Sequence, residues 1–130
     1  MKDFKLKRKD NEEVFATKEL GWKYHHMGIP TQHSIENERY IPHLKMYVSG
    51  FETSPFGIEW MRFEKECPFP EIIKTVPHIA FEVKNLDETL QKFDFEVLIP
   101  PNSPSEEVRV AMILHNNAPV ELMEFKRQFF

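Results

Sequence analysis

The amino-acid sequence predicts an α+β domain built from two similar halves, each with the order strand, helix and three strands. Three observations predict this class. Short segments with apolar residues at every second position, typical of half-buried strands, recur along the chain. One segment of the second half carries a helical apolar stripe. The order of His26, Glu59, His78 and Glu121, each in a strand-like phrase, repeats a His…Glu pair once per half.

The length, composition and charge limit the kind of protein. A chain of 130 residues with 41% apolar and 29% charged residues fits one globular domain. The formal net charge of −4 argues against a broad phosphate-binding surface, so nucleic acid is not an expected partner. No apolar run approaches the ~20 residues of a membrane helix, so we expect no membrane partner and a cytoplasmic location. Cys67 is the single cysteine, so an internal disulfide is excluded.

The chain divides into an extension and one domain. Residues 1–21 are polar and are interpreted as an N-terminal extension, with the basic run at 5–9 as a solvated arm. Residues 22–130 form the domain. Within it, module one covers about 22–66, a proline-containing connector covers 67–77, and module two covers about 78–126.

Module one has a clear first strand and a weaker centre. Period-two alternation runs from Trp22 to Pro30, where proline ends it. The segment from Thr31 to Leu44 has little periodicity and predicts at most a short helix near Ser34. Two further strands, around a turn, are predicted at Lys45–Ser49 and Gly57–Phe63.

Module two shows the repeated order more fully. A strand at His78–Val83 precedes a helix that Asn85 caps, and one helical turn is predicted at Glu71–Lys74 in the connector. The PPNSP sequence is interpreted as a loop, and residues 116–118 as a tight turn. The remaining strands are predicted at Phe95–Ile99, Val108–His115 and Val120–Phe125.

The strand pattern places four candidate side chains on one face of the sheet. Alternate residues of a strand point to opposite faces. In each of the four phrases two or three alternate apolar residues form the face that packs on the helices, and the histidine or glutamate lies on the opposite face. The four residues that face away from the predicted helices are His26, Glu59, His78 and Glu121.

Two imidazoles and two carboxylates suit a divalent transition metal such as zinc, nickel, cobalt, manganese or iron. Calcium prefers an all-oxygen shell and is less suited. An octahedral ion with four protein ligands would keep two positions for water or for paired oxygens of a substrate. A glutamate at the edge of such a site can also act as a base on a proton alpha to a carbonyl.

These phrases resemble the vicinal oxygen chelate superfamily, which includes glyoxalase I, methylmalonyl-CoA epimerase, extradiol dioxygenases and resistance proteins. The resemblance covers about residues 22–126 and is strongest in HIAFEV, NLDETLQKF and PVELMEF. Module one departs from the family pattern, since the acid that commonly follows the first strand is absent from IPTQHS. The resemblance implies two βαβββ modules that form a curved mixed sheet around a pocket, with helices outside and a homodimer as the assembly.

The resemblance also implies metal ligands at His26, Glu59, His78 and Glu121, a full set that is more similar to the isomerases and lyases than to the oxygenases. We therefore expect a metal-dependent isomerase or lyase of glyoxalase or epimerase type. Its substrate would be a small carbonyl compound or a thiol adduct, with Glu59 or Glu121 as the catalytic base. The alternative is a non-catalytic protein that sequesters a small molecule and needs no open metal position. The alternative to metal binding is a metal-free pocket that keeps the four residues for packing or polar contacts. The third hypothesis for the function is an extradiol-type dioxygenase.

Several neighbouring residues have secondary interpretations. His25 replaces His26 as the ligand if the strand register slips by one residue. By strict alternation Tyr24, Met61 and Met123 share the pocket face. Arg62 and Arg109 are considered as contacts for an anionic substrate. The remaining polar candidates are expected at the pocket rim (Glu82), off the ligand face (Glu124) or in solvent (His33, His43 and His115).

Overall fold

A computed structural model describes residues 6–126, which form one mixed sheet of eight strands, curled into a half-barrel, with three short helices outside. The expected α+β class and curved sheet are thereby confirmed. In chain order the elements are α1 (Phe15–Lys18), β1 (Lys23–Pro30), β2 (Arg39–Ile41), β3 (Met46–Ser49), β4 (Ile58–Phe63), α2 (Glu71–Thr75), β5 (His78–Glu82), α3 (Leu86–Lys92), β6 (Glu96–Ser105), β7 (Val108–His115) and β8 (Ala118–Phe125).

The strand order shows the internal repeat directly. The sheet runs β2-β3-β4-β1-β5-β8-β7-β6, so each module supplies four neighbouring strands. β1 is parallel to β4, β5 is parallel to β8, and β1 pairs with β5 in antiparallel orientation. The first strand of each module therefore lies at the centre of the sheet, beside the last strand of its own module. This arrangement brings the four histidine- and glutamate-bearing strands together.

Two local predictions are wrong. No helix forms between β1 and β2, where the sequence predicted at most a short one near Ser34 and the βαβββ resemblance implied one, and the segment leads into strand β2. The PPNSP sequence is not a loop but part of β6. Since β6 is an edge strand, its prolines cost no ladder hydrogen bond on the open side, and register shifts against β7 absorb them.

Helix α3 begins as the sequence predicts. The Asn85 side chain accepts a hydrogen bond from the backbone N–H of Glu88 at 2.9 Å, and Asp87 and Glu88 lie in the first turn, where acids suit the positive helix end. The Glu124 carboxylate of β8 also accepts the backbone N–H of Leu86 at 2.6 Å. Sequence reasoning missed this second contact because its partners are 38 residues apart.

The main core lies between the outer face of the module-two strands and α3. It contains Trp22, Phe81, Leu86, Ile113 and Leu122, all buried. Ala16 and Leu20 pack against the same cluster, so the end of the N-terminal extension contacts the domain. A smaller cluster on the inner face includes Ala80, Val110 and Met123. Of the helices described, none has the length and apolar character needed to cross a membrane.

Candidate metal centre

The structure brings the four candidate residues together on the inner face of the sheet. His26, His78 and Glu121 are 2%, 1% and 9% exposed. Glu121 Oε1 lies 3.0 Å from His78 Nε2 and 3.2 Å from His26 Nε2. Glu59 Oε1 lies 3.6 Å from His26 Nε2, and its side chain is 23% exposed. Strand parity, together with the family resemblance, thus identified a group of neighbouring side chains separated by up to 95 positions, from 26 to 121.

The register of four adjacent strands explains this convergence. Paired residues of neighbouring strands point to the same face. Two neighbouring sets of paired residues cross three strands of the sheet. In each set a small residue lies on the middle strand, so the larger side chains on either side of it can approach one another. The first set is Glu59–Gly28–His78 and the second is His26–Ala80–Glu121.

Gly28 is required by the close approach of His78. A Cβ atom at Gly28 would lie 2.1 Å from Cε1 of the His78 ring. Two carbon atoms that are not bonded cannot approach so closely, so the ring would have to move. The imidazole therefore rests directly over the backbone of β1. Sequence reasoning left this role unassigned, although a glycine inside a strand is a known sign of such an approach.

A β-bulge at His25 corrects the predicted alternation of β1. Tyr24 pairs with Phe81 and His26 with Ala80, so His25 is an extra residue without a partner in β5. The bulge moves Tyr24 to the outer face, where its hydroxyl donates to the carbonyl of Phe56 at 3.1 Å. Tyr24 therefore does not share the face of His26, contrary to the prediction from period two.

The same bulge brings His25 to the inner face, beside the centre. Its Nδ1 lies 2.7 Å from Nδ1 of His26. Its ring stacks on Phe51, with centroids 4.5 Å apart and planes 7° apart, and it also contacts Phe125. His25 thus contacts a ligand candidate, and it lies outside the close group of His26, His78 and Glu121.

The charges at the centre are strongly coupled. Burial would raise the pKa of Glu121, but the adjacent His26 and His78 outweigh it and hold that pKa at about 2. Burial raises the pKa of Glu59, and the nearby histidines offset this only in part. Burial would lower the pKa of His26, but the carboxylates of Glu121 and Glu59 raise it overall. The pKa of His25 is lowered by burial and by His26.

The donor set fits a metal ion. Ligand atoms of His26, His78 and Glu121 all lie within 4.8 Å of one another. His26 Nε2 is buried and has no hydrogen-bond partner within residues 6–126, although Glu121 Oε1 is near it. A buried nitrogen lone pair directed at a carboxylate is unfavourable unless a proton or a cation lies between them. Two imidazoles and a carboxylate are ligands that a divalent transition metal accepts.

A cavity of about 380 Å³ adjoins this centre on the inner face of the sheet. Besides the four candidates and His25, its walls are mainly apolar. Met61 and Met123 line it, in agreement with their strand positions. Asn102 also lines it, and its buried Oδ1 has no partner in the described part of the chain.

The other sequence candidates lie away from the cavity. Arg62 makes a bidentate ion pair with Glu38, at 2.8 and 2.9 Å. Arg109 pairs in the same way with Asp87, at 3.0 and 3.1 Å. Both guanidinium groups are therefore engaged elsewhere. The residues His33, His43 and His115 are exposed, as expected.

Comparison with known proteins relates the chain to solved structures by fold. No family model matches the sequence, and no curated protein has a significant sequence match. The chain is similar to methylmalonyl-CoA epimerase from Mycobacterium tuberculosis, with a TM-score of 0.57 and 14% identity over 81% of this chain and 89% of that one. It is also similar to hypothetical protein BH1468 from Bacillus halodurans C-125, with a TM-score of 0.53 and 20% identity over 89% and 85% of the two chains. The chain therefore has the fold of the vicinal oxygen chelate superfamily that its sequence resembles.

Proposed function

We propose that the protein is a metal-dependent isomerase or lyase of glyoxalase or epimerase type, which moves a proton alpha to the carbonyl of a small compound. The observation that carries the proposal is the convergence of His26, His78 and Glu121, with Glu59 beside them, at the wall of an apolar cavity. The likeness in fold to an epimerase supports the same reaction class.

His26, His78, Glu121 and Glu59 would hold the ion. When bound, the metal polarises a substrate carbonyl oxygen and so acidifies the adjacent C–H bond. The two glutamates have different environments and therefore different roles. Glu121 lies against both histidines with its pKa held at about 2, so it is a poor proton acceptor and a good permanent ligand.

Glu59 is the better candidate for the base. Its pKa is raised by burial, and a general base works best when its pKa approaches the working pH. Its carboxylate is the more exposed of the two and lines the cavity. Glu59 is thus placed to accept the alpha proton of a bound substrate and to return it, on the same side, to the neighbouring carbon of the enediolate.

His25 would position His26. A ring nitrogen that binds a metal is commonly oriented by a hydrogen bond from the other ring nitrogen to a nearby acceptor. If Nδ1–H of His26 donates to Nδ1 of His25, the lone pair of His26 Nε2 is left free toward the centre. The stacking of His25 on Phe51 fixes the acceptor in place.

The decisive experiment measures metal content and proton exchange on the same protein. Reconstituted protein is analysed for bound zinc, nickel, cobalt, manganese and iron, and exchange of alpha protons with heavy water is then followed by NMR across a panel of carbonyl compounds. We expect one ion per site and exchange that chelator abolishes. Ligand binding without exchange would instead favour a sequestering protein, and oxygen uptake with catechols would favour a dioxygenase.

Variants separate the two glutamates. We expect E59Q to lower exchange by about 10²-fold or more while metal stays bound, since it removes the base. We expect E121Q to lose the metal. E96Q, at an exposed position of edge strand β6, is the matched control and should change neither property.

We also propose that the chain forms a homodimer, as the family resemblance implies. Light scattering coupled to size-exclusion chromatography tests this directly. A mass near twice the chain's 15.5 kDa is expected, and a monomer at all concentrations would contradict the proposal.

A further inference from the structure

The walls, charge and size of the cavity point to its substrate class. We infer that the site takes a small carbonyl compound with an apolar tail, and not an adduct of coenzyme A or of glutathione. This inference rests on the proposed function, which allows either a small carbonyl compound or a thiol adduct as substrate. It concerns the part of the substrate that lies outside the metal centre.

The walls of the cavity are chemically suited to an apolar group. Next to the centre, the cavity is lined by thioether and branched aliphatic side chains, including Met46, Met61, Ile73, Ile99, Met112 and Met123. All six are buried. Such walls favour an apolar ligand group, and methionines adapt to irregular shapes. A peptide or nucleotide would leave its polar groups unpaired there.

The charged side chains around the cavity are unfavourable for an anionic carrier group. Within residues 6–126, Arg39 is the one Lys or Arg side chain that lines the cavity. It is 73% exposed and already paired with Glu52 at 2.8 Å. An adjoining surface groove shares Arg39 and Glu59 with the cavity, and its other charged side chains are Glu36 and Glu52. This acidic approach disfavours the polyphosphate of coenzyme A and the carboxylates of glutathione.

The size of the cavity suits a small substrate. A volume of about 380 Å³ corresponds to about a dozen water molecules at ~30 Å³ each. A carbonyl compound with a short alkyl or aryl tail fills such a space. A coenzyme A adduct would extend far beyond the cavity, over the acidic surface groove that adjoins it.

The inference is tested with hydroxamates, which present two adjacent oxygens to a metal and carry a variable tail. Affinity for the metal-loaded protein is measured by calorimetry along a straight-chain series from acetohydroxamate upward. We expect about a three- to fourfold gain per added methylene until the cavity is full. S-substituted glutathione and acyl-coenzyme A are expected to bind no more tightly than the short hydroxamates.

A cavity-filling variant makes the test specific. Val110 is buried on the inner face and lines the cavity, so V110F should abolish the gain for long tails while acetohydroxamate and the metal still bind. V97F, at an exposed position of β6, is the control and should retain the native series. Metal content of both variants shows whether the centre has folded.

The outcomes separate the inference from the proposed function. The inference is overturned if hydroxamate affinity does not increase with tail length, or if the coenzyme A or glutathione compound binds more tightly. This holds even if metal binding and proton exchange are present. Absence of metal overturns the proposed function, and the cavity is then tested with straight-chain ketones of the same tail lengths, which need no ion. The same gain in ketone affinity per methylene would support a site for an apolar tail. No gain in affinity would overturn the inference.

Discussion

Gly28 and His25 shape the centre although neither belongs to the close group of His26, His78 and Glu121. Gly28 lets the His78 ring rest on the backbone of β1, and His25 reaches His26 because a bulge turns it inward. Each role depends on contact with one histidine. Each can therefore be tested by a single substitution with metal affinity as the measurement.

Replacing Gly28 with alanine should displace the His78 ring, since the new Cβ would lie 2.1 Å from it. We expect G28A to weaken metal binding by at least about tenfold, as found when the orientation of ligands is disturbed. Gly21 is the matched control, because it has a φ of +73° and nothing near its Cβ position. G21A should lower stability through backbone strain and leave metal affinity unchanged. Equal metal affinity in G28A and the native protein would contradict the close-approach argument.

Replacing His25 with phenylalanine keeps an aromatic ring for stacking on Phe51 but removes the nitrogen that faces His26. We expect H25F to weaken metal binding by about 10- to 100-fold. The visible spectrum of bound Co²⁺ should also change, because the orientation of His26 is altered. H115F, at an exposed strand end, is the control. An unchanged affinity and spectrum in H25F would remove His25 from the site.

At the scale of elements, module one lacks the helix that α3 provides in module two. The segment between β1 and β2 is held instead by the bidentate pair of Glu38 with Arg62 of β4. Arg62 also lies over the Tyr47 ring, 4.0 Å from its centroid. The ion pair thus attaches a segment that has no apolar helical stripe, and the cation–π contact with Tyr47 of β3 holds the guanidinium group that makes the pair.

The Glu38–Arg62 pair predicts a specific pH dependence. Arg62 lowers the pKa of Glu38 from 4.5 to about 2. A depressed carboxyl pKa stabilises the fold above the ordinary value, and this contribution is lost as pH falls from about 4.5 toward 2. We expect the native unfolding temperature to fall more steeply over this range than that of E38Q.

The control for this measurement is E52Q. Glu52 pairs with Arg39, but both side chains are about two-thirds or more exposed, and such pairs contribute little. E52Q should follow the native curve from pH 5 to pH 2. Parallel curves for E38Q and the native protein would mean that the pair does not hold the segment.

At the scale of the whole molecule, the centre joins the two modules. His26 and Glu59 belong to module one, and His78 and Glu121 to module two. A bound ion would therefore stabilise the association of the two halves at the antiparallel β1–β5 pair. Since the unfolded chain does not preform this site, metal binding should add to the free energy of unfolding.

We expect metal at 100 times its Kd to raise the free energy of unfolding by about 2.7 kcal/mol, and chelator to reverse the gain. For a chain of this length the gain corresponds to a rise of about 10 °C in Tm. Calorimetric or fluorescence melts with and without chelator measure it. E121Q should show no shift, whereas E96Q should behave as the native protein. A similar shift in E121Q would place the ion elsewhere.

The sequence by itself determined the repeat, most of the strands and the face on which the four candidates lie. These features depend on local periodicity, which the pleat of a strand imposes on any side chain. The cap at Asn85 is likewise local, and the structure confirms it. The agreement between the sequence prediction and the structure is weakest in module one, because the segment after β1 has no apolar periodicity.

Only the tertiary structure decided the bulge at His25, the strand conformation of PPNSP and the contacts of Glu124 and Glu38. Each depends on a partner far along the chain. The bulge exists relative to β5, the prolines are tolerated because β6 lies at a sheet edge, and the two carboxylates meet groups 38 and 24 residues away. Local sequence sets which way a side chain points within its own strand, but packing sets where the strand register shifts and what that side chain meets.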